Sequence, residues 1–150
     1  MPPRPLLVAA LLGLTLAAGC QRISKADEEA ALAAVRANTE AMNRADLEGA
    51  TATIHPKSPS FERSRAQTAT LFEQFRLSCV LEEAKVEKTG ADGITIRFVL
   101  VTRKISGDED FPDNRVTGQH LLKRDGEAWK IWSSQVLARE TLENEAIPLR

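Results

Sequence analysis

Between residues 24 and 43 the chain repeats apolar positions at spacings of three and four, placing Ala31, Leu32, Val35, Asn38 and Met42 along one side of a predicted helix. Ser24 followed by Asp27 approximates a capping box at its start. Asp46 can cap a second, short helix presenting Leu47, Ala50, Thr51 and Ile54. That helix must stop at His55-Pro56, because the residue before a proline avoids the helical region. Ser58-Pro59 reads as an N-cap followed by proline at the first helical position, opening a third helix through Phe61, Thr68, Leu71, Phe72 and Phe75.

The period then falls to two. Residues 77–87 read as a strand whose alternation breaks near Glu82-Glu83, which predicts a bulge. Residues 94–101 alternate with Ile94, Ile96, Phe98 and Leu100 toward the core. Asp125-Gly126 lies between apolar runs at 116–124 and 127–137, a strong signal for a two-residue hairpin turn. Setting Arg124 opposite Glu127 pairs Leu122 with Trp129, His120 with Ile131 and Gly118 with Ser133 on the core face. Leu121 and Lys130, with Gln119 and Trp132, then share the outer face. Helices followed by four antiparallel strands predict an α+β fold in which the helices cover one face of a curved sheet.

Composition agrees with one small domain. The chain has 150 residues, 43% hydrophobic, with 20 Lys and Arg against 21 Asp and Glu. Without a linker, a repeat or a basic run there is no sign of a second domain and no electrostatic footprint for nucleic acid. The first twenty residues differ from the rest: Arg4 is the one cation before an uncharged stretch at 6–18, closed by Leu16-Ala17-Ala18-Gly19-Cys20. This is the plan of a secretory signal peptide, too short to stay as a membrane span. With Cys ending the small-residue run, it resembles a bacterial lipoprotein signal, which implies cleavage after residue 19 and a lipid anchor on Cys20. An ordinary secretory signal with an incidental Cys20 is the alternative. The resulting division is a signal over 1–19, a lipidated tether over 20–24, a domain over 25–140 and a tail over 141–150. The partner so implied is a bilayer of the cell envelope. Gln21 stands where an inner-membrane retention signal often has Asp, which leaves an outer-membrane, periplasm-facing destination open. Cys79 is then alone, and its apolar neighbours predict a buried structural thiol rather than a nucleophile.

Three stretches carry a further resemblance: Ala41-Met42-Asn43-Arg44-Ala45-Asp46-Leu47-Glu48 after the first helix, Ile54-His55-Pro56 after the second, and Asp125-Gly126-Glu127-Ala128-Trp129-Lys130-Ile131 in the closing hairpin. On these the chain resembles the nuclear transport factor 2-like, or SnoaL-like, superfamily over roughly residues 25–140. The resemblance implies a cone-shaped fold with a pocket between sheet and helices. It also implies a family in which some members are isomerases, dehydratases or cyclases, while others bind ligands or dimerise.

The enzymatic chemistries of that family do not carry over. A ketosteroid-isomerase-like site needs a Tyr hydroxyl and a protonated carboxylic acid, and this chain has no Tyr. Only His55 and His120 could serve as imidazole ligands, and their contexts differ, so no metal site is expected; Asp108-Glu109-Asp110-Phe111-Pro112-Asp113 has Pro and Asp where a calcium loop needs a ligand and a Gly, and reads as a solvated acidic loop. No cofactor motif occurs. His120 is the one titratable residue expected inside the cone. The candidate pocket comprises Asn38, Cys79, Phe98, His120, Trp129 and Ile131, and its expected size is small, because Phe61, Phe72, Phe75, Phe98 and Trp129 are bulky. Val99, Val101, Leu121, Trp132 and Val136 fall on the expected outer face, mixed with Arg97, Gln119 and Lys130. That pattern suits either a homodimer interface or a surface covered by the C-terminal segment. The expectation is therefore a membrane-anchored module binding a small apolar ligand or an envelope protein, without catalysis of its own. The alternative is a small-molecule isomerase, dehydratase or hydrolase built around His120.

Overall fold

The structure is a computed structural model and describes residues 22–143; the signal segment, Cys20 and the end of the tail lie outside the described residues. Three helices precede four strands: α1 (Lys25–Asn43), α2 (Leu47–Ala52), α3 (Phe61–Gln74), β1 (Arg76–Gly90), β2 (Gly93–Ser106), β3 (Asn114–Asp125) and β4 (Ala128–Thr141). The strands form one antiparallel sheet in sequence order. Among the described residues no helix is long and apolar enough to cross a membrane.

Local signals decide the first two helices. Ser24 Oγ accepts from the Asp27 backbone N–H and Asp27 accepts from the Ser24 N–H, a complete capping box. Asp46 Oδ1 accepts from Gly49 N–H at the start of α2. Between them α1 ends in a Schellman turn, with Asp46 N–H bonding Ala41 O and Ala45 N–H bonding Met42 O. Ala45 occupies its left-handed position, φ 50°, where glycine is usual. The third helix starts later than expected. Its N-cap is Ser60 and Pro59 lies outside it. Ser58 is drawn away, because its hydroxyl donates to Trp132 O at 2.6 Å and so ties the loop to β4.

The closing hairpin turns on Gly126-Glu127 rather than Asp125-Gly126, with Asp125 paired to Ala128. Only Gly126 has positive φ there, 64°, the requirement of a turn with glycine at its first central position. Leu122 therefore opposes Ile131, and Arg124 opposes Trp129. A slip of two residues leaves each side chain on its expected face, so Leu122, Trp129 and Ile131 are all buried as the pattern required. Beyond Trp132 the faces do change. That residue is skipped in the pairing, so Leu121 opposes Ser133 and His120 opposes Ser134. The bulge inverts the alternation, moving Val136 to the concave side opposite Gly118 and Ser133 to the convex one. In β1 the expected bulge occurs at Glu82, with a second at Glu87.

The core divides into two clusters. At the end where α1 begins, Ala31 and Val35 pack on Ile94, Ile96, Leu122, Trp129 and Ile131. Ile94, Ile96 and Leu122 are 0% exposed, and each such side chain contributes about 1.5–3 kcal/mol. At the opposite end Phe75, Leu77 and Cys79 pack with Met42, Leu71, Leu100 and Phe111. Both outer strands are partly closed by polar groups of the helical layer. Asn43 accepts from Cys79 N–H at 2.6 Å and donates to Cys79 O at 2.8 Å, covering the free edge of β1. On the other side His55 N–H donates to Ile131 O and Ile131 N–H to Thr53 O, both at 2.8 Å, along the edge of β4.

Candidate functional site

The second cluster does not fill its end of the cone. A cavity of about 340 Å³ remains between α1, α3 and the concave side of the sheet, walled mainly by Met42, Leu71, Leu77, Leu81, Phe98, Leu100, Phe111 and Val116. This is at the small end of ordinary ligand pockets. The large aromatics leave it open because they sit around it: Phe61 and Phe72 are half-buried on α3, and Trp129 belongs to the other cluster.

Of the expected pocket residues, Asn38, Cys79, Phe98 and His120 line this cavity. Trp129 and Ile131 do not, since both pack in the first core cluster, and Trp129 also borders a more open depression of about 670 Å³ beside Arg22, Ile23, Lys123 and Arg124. Asn38 is already engaged: its amide donates to Thr53 Oγ1 at 2.8 Å and so ties α1 to the end of α2. Burial pushes the Cys79 thiol up, against a smaller opposing effect from its hydrogen bond with Thr102, so it is a poor nucleophile.

His120 owes its position to Gly118. A Cβ at Gly118 would come within 2.5 Å of Phe98 Cζ, so only glycine lets the Phe98 ring lie against the sheet. The imidazole stacks on that ring at 4.3 Å and 18°, and its Nδ1 hydrogen-bonds Ser134 Oγ at 2.8 Å. No described residue bonds Nε2. Desolvation lowers the His120 pKa from 6.5 to about 4, so the ring is neutral near pH 7. His55 has a structural role instead: Nδ1 accepts from Lys57 N–H, Nε2 donates to Arg124 O at 3.0 Å, and the ring meets Trp132 edge-on.

Of the lining residues outside the expected set, three bear most on the site. Phe111 and Pro112 belong to the acidic loop taken as solvated, yet Phe111 packs on Phe75 at 5.3 Å and walls the cavity. An aromatic within an acidic run was the signal. Arg139 lines the mouth, where it opposes Val116 on the concave side. The sequence pattern ends this strand at Leu137, whereas β4 runs on to Thr141; its two bulges, at Trp132 and Leu137, cancel in parity and return Arg139 to the face of Trp129 and Ile131. No carboxylate among the described residues lines the cavity. Among the described residues no three His, Cys, Asp or Glu side chains are grouped to hold a metal.

The outer face is more polar than its alternation suggests. Val101 is buried and Val99, Leu121 and Trp132 are half-buried. Arg115 links Glu82 and Glu140, Arg97 pairs with Glu87, and Gln119 bonds Glu87 across this face. Trp132 lies between His55 and the Lys123 ammonium, which stands 4.1 Å from its ring centre.

A curved four-stranded antiparallel sheet with three helices on its concave side is the nuclear transport factor 2-like fold. Residues 33–142 match the family described as anti-sigma-I factor RsgI9, C-terminal domain, and the chain belongs to that family. Several solved structures share the fold. A protein from Streptomyces avermitilis, described as a candidate dehydratase of the NTF2-like family, superimposes with a TM-score of 0.57 at 21% identity, over 75% of this chain and 98% of that one. A ketosteroid isomerase-like protein from Erwinia carotovora atroseptica gives 0.55 at 19%, over 77% and 99%. A Nostoc punctiforme protein of unknown function with a cystatin-like fold gives 0.60 at 12%, over 77% and 92%. None of the curated proteins compared matches the chain.

Proposed function

We propose that this chain is a lipid-anchored binding module of a bacterial cell envelope, exported by residues 1–19, acylated on Cys20 and using its cone cavity to hold a small apolar ligand. The observation that carries the binding reading is the cavity itself, about 340 Å³, apolar-walled and without a carboxylate among the described lining residues. Proton transfer between carbon or oxygen atoms needs at least one positioned base and usually an acid partner. Here a neutral His120 has, among the described lining residues, only a raised thiol and an arginine as ionisable companions. An isomerase or dehydratase on the plan of the fold's enzymes therefore lacks its acid. The family's namesake is an anti-sigma-I factor, a regulatory protein, which agrees with binding rather than turnover.

Placement within the fold supports the anchoring reading. The chain enters at the end of the cone bearing the two hairpin turns, where Asp27 bonds Arg124 at 2.6 Å and Trp129 Nε1 at 3.1 Å. The cavity lies toward the other end, beside the 107–113 loop. From Arg124 to Asn114 along β3 is roughly 30 Å at about 3.3 Å per residue. A membrane attached through residue 20 would leave the cavity mouth facing outward into solvent. Mass spectrometry of the native chain tests the anchor: a diacylglyceryl-modified Cys20 as the first residue is expected, and an unacylated amino end refutes it. Calorimetric titration with octanol tests the pocket. Saturable binding lost when Val116→Trp fills the cavity is expected, provided the variant keeps the wild-type circular dichroism; absence of binding to the wild type refutes it.

A further inference from the structure

The cavity has an apolar body and, among the described residues, one charged lining side chain. That side chain, Arg139, makes no ion pair with any described residue, while its neighbour Glu140 points to the opposite face and pairs with Arg115 at 3.5 Å. No acidic side chain of the 107–113 loop pairs with Arg139; Asp113, mostly buried, is held instead by Arg103 and the Lys104 N–H. Among the described residues no carboxylate lines the cavity to oppose an incoming anion, and none bonds His120 Nε2. A cavity built for a neutral apolar molecule has no use for a guanidinium at its rim that pairs with no described carboxylate. One that holds an amphiphile does, because guanidinium binds a carboxylate through two parallel hydrogen bonds.

We infer that the ligand is an amphiphilic monoanion, a carboxylate on an apolar tail, with its tail among Leu77, Phe98 and Leu100 and its head on Arg139. This rests on the apolar-pocket reading above and adds the sign of the charge. The strand geometry assigns the head to the mouth, since Arg139 is exposed near the end of β4 while Phe98 and Leu77 are buried. The tail enters first and the charge stays at the water boundary, so no ion is carried into the apolar interior.

The test compares octanoate, octanol and octylammonium by titration calorimetry at pH 7, on the full chain held in phosphatidylcholine nanodiscs, with empty nanodiscs as the blank. Octanoate is expected to bind roughly tenfold more tightly than octanol, and octylammonium more weakly than either. Arg139→Gln should bring octanoate to the affinity of octanol, and Arg36→Gln, an exposed cation of α1, should change nothing. Both substitutions are at exposed positions, so the fold is not at risk. Equal affinities for octanoate and octanol, or a preference that survives Arg139→Gln, would overturn the charge assignment while leaving the apolar pocket standing. Binding of none of the three would overturn both.

Discussion

Acid should act on this protein through His120 before it acts on most carboxylates. In the fold its pKa is lowered from 6.5 to about 4 because the ring is desolvated against Phe98. In the unfolded chain it titrates near 6.5. As the pH falls below neutrality the unfolded state therefore takes up a proton that the folded state refuses. Stability associated with the neutral ring is complete above about pH 7.5, declines through 6.5, and is fully lost once the pH passes below about 4. From 6.5 to about 4, at about 1.36 kcal/mol for each pH unit, the ceiling is about 3 kcal/mol. The residue is only half-buried, and water at the cavity mouth reduces this to about 2 kcal/mol. Replacing His120 by Gln removes the titration while keeping a group able to bond Ser134. Urea unfolding of both chains from pH 7.5 to 4.5 should show the wild type losing about 2 kcal/mol more than His120→Gln, with equal urea slopes. Subtracting the two curves cancels every group the two chains share. Parallel curves would mean that the ring is hydrated in the fold, and the stacked, desolvated geometry would be wrong.

Three other substitutions probe the joints of the fold. Asn43→Ala leaves Cys79 N–H and C=O unpaired at the edge of β1, and should cost about 1–2 kcal/mol, read as a lower thermal midpoint. Thr51 Oγ1 is buried without a hydrogen-bond partner among the described residues, so Thr51→Val should stabilise by about 1 kcal/mol; destabilisation would show that the hydroxyl is bonded. Ala45→Gly relieves a left-handed alanine at a helix end, and should gain about 0.5 kcal/mol once the greater freedom of glycine in the unfolded chain is counted. A loss of about 1 kcal/mol, the usual effect of glycine within a helix, would place Ala45 inside α1 instead.

Helix positions and core faces were legible because they depend on neighbours in the chain. A capping box needs only Ser24 and Asp27, a proline stop needs only Pro56, and alternation assigns Ile94, Ile96 and Phe98 inward whatever lies beside them. Even the misplaced hairpin turn cost nothing in facing, since a slip of two preserves the parity of a strand. Candidate pocket residues were legible to the same extent: His120, Phe98, Cys79 and Asn38 were found by facing, and three of them lie on strands. Arg139 and Phe111 were not. Arg139 lies beyond Leu137, where the sequence pattern stops reading as a strand, and it reaches the cavity because pairing with β3 carries β4 on to Thr141, the bulges at Trp132 and Leu137 cancelling in parity. Phe111 is turned inward by packing on Phe75, 36 residues earlier in the chain. Periodicity along the chain thus decided which residues are inside. Whether the inside is full or open, and which charge stands at its mouth, was decided by strand register and by contacts between distant segments, because volume and electrostatic pairing belong to the assembled layers and not to any one of them.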